Sequence, residues 1–249
     1  MLTVEGLSKS FLEIHAVSDL SFSIEHGTIT ALIGPNGAGK TTTFNMITGF
    51  LDPDRGKVRY NDSDITDFKP HQISRLGLVR TFQGVEAFYS MSVFENVMVG
   101  ASSSYSYRLL PSLMRVSSYR KLEQDALKKV YDCIELVGLT PVSGNPASRL
   151  SFGQLRLMEI ARALATGPEV LLLDEPGAGL NSREVETLAM VLKRLNEDGI
   201  TIFIIDHDMH LVMDISDMLI VMDKGVKIAT GKPDEIQKNP RVIEAYLGT

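Results

Sequence analysis

Cysteine is almost missing from this chain. Cys133 stands alone, so no internal disulfide can form and the chain suits a reducing compartment. No apolar run approaches the roughly 18 to 20 residues of a membrane-spanning helix, so the chain is not expected to cross a bilayer. The start, with Glu5 and no basic cluster, lacks a secretory-signal pattern. A net positive charge is missing as well: the formal net charge of −6 is mildly negative and gives no overall footprint for nucleic acid. His15, His26, His71 and His210 show no metal-ligand spacing with cysteine, which argues against a structural zinc. Internal repeats and low-complexity tracts are missing too. What is present is 249 residues, 44% of them apolar, enough for one large core or one core with a helical appendage. Cys133, in helical register with Val130, Ile134 and Val137, reads as part of that core.

Three regions follow one another without a linker. Residues 1–83 read as short strands and turns around one helix, with strands at Lys57 to Asn61 and Leu78 to Phe82. Residues 84–167 read as mostly helical: a helix over Ser92 to Val99 opened by a capping serine with Glu95 three places on, and a longer amphipathic one over Lys121 to Leu136. From residue 168 strands and helices alternate: strand Val170 to Leu173, helix Ser182 to Asn196, strand Thr201 to Ile205, a short helix after His207, then strand Met218 to Met222. Such alternation builds a parallel sheet with helices on both faces. Lys224-Gly225 reads as a hairpin turn, and Pro233 onward as terminal helices.

Two segments carry chemistry. GPNGAGKT, from Gly34 to Thr41, fits G-x-x-x-x-G-K-[ST], and its setting suits the motif. The β-branched run Thr28 to Ile33 ahead of it reads as a buried strand, and Thr41 to Gly49 behind it reads as a helix. Strand, glycine loop and helix make a triphosphate cradle, because glycines let backbone N–H groups approach closely and the helix adds its positive end. Lys40 would reach the β- and γ-phosphates, and the Thr41 hydroxyl would ligate Mg²⁺. Farther along, Glu169 to Asp174 is an apolar strand ending in a carboxylate, and ligands of open parallel sheets lie outside the carboxyl ends of strands. Asp174 is thus a candidate for Mg²⁺ through a water, and Glu175 for orienting or deprotonating an attacking water.

Phosphate loop, LSFGQ at Leu150 to Gln154, LLLDEP at Leu171 to Pro176 and a histidine after the next strand together resemble the nucleotide-binding subunits of ABC transporters, collinearly and over nearly the whole chain. The resemblance implies an α/β fold: a P-loop NTPase core of ABC ATPase type with an N-terminal antiparallel β subdomain and an inserted helical subdomain. One ABC ATPase domain would span 1–249, its nucleotide-binding core at about 1–83 and 168–249 and its helical subdomain at about 84–167. By the same resemblance Phe11 stacks on adenine, and Gly34, Pro35, Asn36, Gly37, Ala38, Gly39, Lys40, Thr41 and Thr42 bind the phosphates. Gln83 links metal and water to the transport channel, alongside metal groups Thr41 and Asp174. Ala178 to Asn181 is the dimer-contact loop, His207 the switch histidine, and Ser151, Gly153 and Gln154 bind the γ-phosphate of ATP held by a second ATPase subunit. Glu175, His207, Lys40 and Gln83 form the implied catalytic set, with ATP and Mg²⁺.

VRTFQ, SVFENVMVG, LMEIARAL, GAGLN, HDMHLVMDISD and NPRVIEAYLG are similar to the branched-chain amino-acid importer group, and within it to the longer of its two ATPase subunits. The partners so implied are an identical or paralogous ATPase subunit, two transmembrane permeases and, indirectly, an extracytoplasmic solute-binding protein, at the cytoplasmic face of the inner membrane. No nucleic acid is expected. Two positions depart from the general pattern: Phe152 replaces the first glycine of S-G-G-Q, and Asn181 stands where many relatives have aspartate. The rival reading is a soluble ABC ATPase acting on nucleic acid or ribosomes. A third, a P-loop kinase or small GTPase, leaves LSFGQ without a role. Ser103 to Arg120, with Arg108, Arg115, Arg120, Tyr105, Tyr107 and Tyr119, reads as a solvated, extended insertion in the helical region, a membrane-facing or partner-facing patch being the alternative.

Overall fold

The computed structural model describes residues 1–104 and 117–247. The side chains of residues 103–121, and with them the arginine and tyrosine segment, lie outside the described residues. Contacts divide the chain into two units. The first comprises residues 1–80, 169–178 and 185–249; the second comprises 81–168 and 179–184.

In the first unit the described strands form two sheets. One is antiparallel, in the order β2-β1-β4-β5, from β1 (Leu2–Phe11), β2 (Ile14–Ile24), β4 (Arg55–Tyr60) and β5 (Ser63–Asp64). The other runs β10-β9-β3-β8-β7-β6, from β3 (Ile29–Ile33), β6 (Leu78–Arg80), β7 (Val170–Asp174), β8 (Thr201–Ile205), β9 (Met218–Asp223) and β10 (Val226–Gly231). It is parallel except for β10, which pairs antiparallel with β9. The continuous apolar runs of β3, β7 and β8 are buried at every position, as strands covered on both faces require. Helix α1 (Lys40–Ile47) places Phe44 against Phe203 of β8, ring centroids 5.1 Å apart, and Phe203 lies 5.7 Å from Phe22 of β2. Three aromatic rings thus tie both sheets to the helix that begins at Lys40. Helix α2 (Pro70–Arg75) precedes β6.

The second unit is helical. Helices α3 (Val93–Ser104), α4 (Ser117–Leu136) and α5 (Phe152–Ala165) pack on one another. Ser92 opens α3 as expected: its hydroxyl accepts from Glu95 N–H, and Glu95 Oε2 accepts from Ser92 N–H at 2.7 Å. Cys133 is buried, and burial pushes its thiol up to about 11. Helix α6 (Ser182–Glu197) returns the chain to the first unit, followed by α7 (Met209–Ile215), α8 (Pro233–Ile236) and α9 (Pro240–Leu247).

Several boundaries differ from the sequence reading. The strand read over Leu78 to Phe82 stops at Arg80, because the backbone of Phe82 is held by side chains of α5. The strand read over Lys57 to Asn61 begins at Arg55 and ends at Tyr60, since Asn61 turns to φ +45°. The first two strands are long, 10 and 11 residues. Register shifts along β1, where Gly6 takes φ +59°, break the alternation that would have revealed them. Phe203→Ala should cost about 3–5 kcal/mol, measured by urea unfolding, because it removes the ring shared by Phe44 and Phe22.

Candidate functional site

The phosphate loop leaves the carboxyl end of β3 and enters α1. Two of its glycines are required by crowding rather than by turn geometry alone. A Cβ at Gly34 (φ +152°) would sit 2.1 Å from the Met222 carbonyl oxygen, and one at Gly39 (φ +96°) 2.3 Å from that of Ala16. Only glycine lets β9 and β2 approach this loop so closely. Gly39 offers no side-chain cap, so the first N–H groups of α1 remain directed out of the helix end.

Those groups open on a cavity of about 450 Å³ lined by Ile14 to Ala16, Asn36 to Thr42, Glu175 and Lys224. Within the loop, Lys40 donates from Nζ to the carbonyls of Gly34 at 2.8 Å and Pro35 at 3.0 Å. Burial lowers its pKa, an effect opposed by the charge of Glu175. The Thr41 side chain is exposed in the first turn of α1. Phe11 ends β1 with its ring exposed, outside the residues that line this cavity.

β7 delivers two carboxylates with different surroundings. Asp174, at the strand end, is buried, and its Oδ2 accepts from Arg80 at 2.6 Å. Glu175 follows at φ +49° with its N–H donated to the Ile205 carbonyl at 2.7 Å, a left-handed geometry that non-glycine residues adopt rarely. From the end of β8, His207 brings Nδ1 to 3.8 Å from Glu175 Oε2. Buried Asp206 accepts from Gly177 N–H at 2.8 Å and from Asp208 N–H at 2.9 Å. It thereby fixes the turn after Glu175 and the backbone on the far side of His207.

The remaining site residues lie in the second unit. Ser151 caps α5: its hydroxyl accepts from Gln154 N–H at 3.2 Å, and Gln154 Oε1 accepts from Ser151 N–H at 3.0 Å. Glu184 Oε1 is 3.4 Å from the Ser151 hydroxyl and 3.3 Å from Gly153 N. Asn181 caps α6, its Oδ1 accepting from the N–H groups of Arg183 and Glu184, each at 3.1 Å. An asparagine therefore serves this turn without aspartate's charge. The Phe152 ring packs over Gly179, with Arg156 5.9 Å from its centroid.

Gln83 has an exposed side chain and a fixed backbone. Arg156 donates to the carbonyls of Phe82 at 3.0 Å and Gln83 at 2.8 Å, and pairs with Glu159 at 2.8 Å. Both charges are buried; desolvation raises the Glu159 pKa while Arg156 opposes the rise. Arg80, Arg156, Glu159, Glu184 and Asp206 were not singled out from the sequence. A charged residue inside an otherwise apolar stretch, as at Arg156 and Glu159 in LRLMEIA, is the one signal that could have marked two of them.

Among the described residues no group of three His, Cys, Asp or Glu could hold a metal ion. The hydroxyl of Thr41 and the carboxylate of Asp174 are hard oxygen donors. Such a sparse set suits Mg²⁺, which keeps waters and phosphate oxygens in its shell rather than entering an all-protein cage.

Known proteins resemble this chain along its whole length. The family model described as ABC transporter matches residues 17–178, and that described as branched-chain amino acid ATP-binding cassette transporter matches 226–249. The chain is 41% identical to the high-affinity branched-chain amino acid transport ATP-binding protein BraF of Pseudomonas aeruginosa, over 100% of its own length and 98% of that protein's. The same figures hold for LivG of Escherichia coli K12, described in the same words. A crystal structure of an ATP-binding cassette of an ABC transporter in its ADP conformation superimposes with a TM-score of 0.87 at 35% identity, covering 100% of this chain and 99% of that one.

Arg156→Met should strand Glu159 in the interior and destabilise the helical unit by about 3–5 kcal/mol. Chemical denaturation would measure the loss, and limited proteolysis should find earlier cleavage beside Phe82 and Gln83.

Proposed function

This chain belongs to the ATP-binding cassettes of ABC transporters, and we propose that it is one of two ATPase subunits driving the permeases of an importer for branched-chain amino acids or related small solutes. It binds and hydrolyses ATP as a member of that ATPase family. The observation that supports the fuller reading is that two site halves belong to different units of one chain: Lys40, Asp174, Glu175 and His207 to the first, and the LSFGQ cap of α5 to the second. Each half suits a nucleotide held between two chains. The rival assignment to nucleic acid or ribosomes falls away, since the matched models describe transporters.

In this reading the whole chain is one ABC ATPase domain with a nucleotide-binding core and a helical subdomain. The N–H groups from Gly37 to Thr42 cradle the β- and γ-phosphates, with Pro35 and Asn36 shaping the loop ahead of them. Lys40 exchanges its two carbonyl acceptors for phosphate oxygens, and Phe11 stacks on the adenine. Thr41, Asp174 and Gln83 hold Mg²⁺, which when bound offsets charge on the transferred phosphoryl group. Glu175 orients and deprotonates the attacking water, and His207 keeps Glu175 and the γ-phosphate in register. The second chain contributes Ser151, Gly153 and Gln154 at the positive end of its 14-residue α5, an arrangement that favours an anion. Glu184, by engaging Ser151 and Gly153 N–H, holds that loop until the γ-phosphate takes its place.

Closing the two chains on ATP pulls permease segments docked near Gln83 to Val99, and hydrolysis reopens them. Among the described residues no helix is long and apolar enough to cross a membrane. In this reading the permeases hold the chain at the cytoplasmic face of the membrane, and an extracytoplasmic binding protein presents the solute.

Glu175→Gln should lower steady-state phosphate release by about 10²- to 10⁴-fold while ATP still binds; undiminished turnover in the purified variant would contradict the role of Glu175. Lys40→Ala should weaken ATP binding itself, and an unchanged dissociation constant by calorimetry would argue against the phosphate-loop assignment.

A further inference from the structure

Arg80 ends β6 three residues before Gln83 in the chain, and its guanidinium is almost entirely enclosed. Its side chain is 9% exposed and that of its ion-pair partner Asp174 is 5% exposed. One end, NH2, donates to Asp174 Oδ2 at 2.6 Å. The other, NH1, donates to Asn45 Oδ1 at 2.7 Å and to Thr48 Oγ1 at 2.8 Å. Thr48 is oriented to accept, because its own hydroxyl donates to the Phe44 carbonyl at 2.6 Å. The rings of Phe44 and Phe50 flank the guanidinium, each centroid 5.4 Å from Cζ. These contacts fix both the position and the plane of the fork.

The two ends of this fork touch different elements. Asn45 lies in the helix whose first turn carries Thr41 and Thr48 is the C-cap residue of that helix, while Asp174, the other proposed metal group, ends β7. We propose that Arg80 is a positioning residue for Mg²⁺: it sets the spacing between the Thr41 hydroxyl and the Asp174 carboxylate, and reserves Asp174 Oδ2 so that Oδ1 faces the metal. The inference rests on the reading of Asp174 as a metal group. A lysine could supply the charge but not the bridge, since its single ammonium lacks the planar fork. Groups that orient a metal-facing carboxylate typically change metal affinity by 10- to 100-fold when removed.

The test compares the affinity of a non-hydrolysable ATP analogue in EDTA and in excess MgCl₂, by calorimetry, for the parent chain and for Arg80→Gln, Arg80→Lys, Asn45→Ala and Asp174→Asn. The ratio of the two affinities isolates the metal from the nucleotide and does not depend on turnover. Arg80→Gln should reduce that ratio by about tenfold or more and leave binding in EDTA unchanged. Arg80→Lys should restore only part of it, and Asn45→Ala, which keeps the ion pair and removes one of the two NH1 bonds to the α1 segment, should move it in the same direction. If Arg80→Gln fails to fold, Arg80→Lys and Asn45→Ala, compared with Asp174→Asn, still decide the matter. A ratio lost in Asp174→Asn but intact in the Arg80 and Asn45 variants would overturn the positioning role and leave the metal assignment standing. Equal weakening with and without Mg²⁺ would reduce Arg80 to a structural ion pair. A ratio untouched in Asp174→Asn would overturn both readings.

Discussion

The phosphate loop keeps its shape because two carbonyl oxygens press against it where no side chain fits. Met222 of β9 meets Gly34 and Ala16 of β2 meets Gly39. The same neighbourhood is laced by backbone hydrogen bonds: Gly225, in the turn between β9 and β10, donates to the Ala38 carbonyl at 3.1 Å and accepts from Ser18 N–H at 2.8 Å. Strand β2, the β9–β10 hairpin and the loop are thereby tied to one another. The N–H groups at the start of α1 stay aimed at one place, which is what a preorganised anion site needs.

Each unit encloses charge where an apolar core would be cheaper. Arg80 with Asp174, Arg156 with Glu159, and Asp206 with two backbone N–H groups are all enclosed. Desolvation makes such groups weak contributors to stability. Each one fixes something an apolar side chain could not: a carboxylate at the end of β7, the backbone ahead of Gln83, and the turns on either side of His207. Their common feature is direction rather than energy, and it is spent at the carboxyl ends of strands, where ligands of parallel sheets lie.

Much of this was legible in the sequence. Thr201 to Ile205 is a strand over the very residues its apolar run marks, and β7 ends at Asp174, the carboxylate read at the end of its apolar run, because a strand covered on both faces announces itself by composition. The phosphate loop was legible because glycine, lysine and threonine at fixed spacing answer a single chemical demand. β1 was not, since bulges near Gly6 scramble its period of two. Arg80 and Arg156 were not, because a charge in an apolar stretch does not say which carbonyl or carboxylate will enclose it. Long-range partners of that kind, Arg80 with Asp174 across 94 positions of sequence, exist only once the sheet is assembled.

The account turns on a nucleotide shared by two chains, one offering Lys40 and the other Ser151. Light scattering of the Glu175→Gln chain at saturating ATP and Mg²⁺, alone and together with its cognate second ATPase and permeases, measures this directly. The account predicts particles containing two ATPase chains that fall apart when nucleotide is withdrawn. A particle holding a single ATPase chain in both preparations would contradict it.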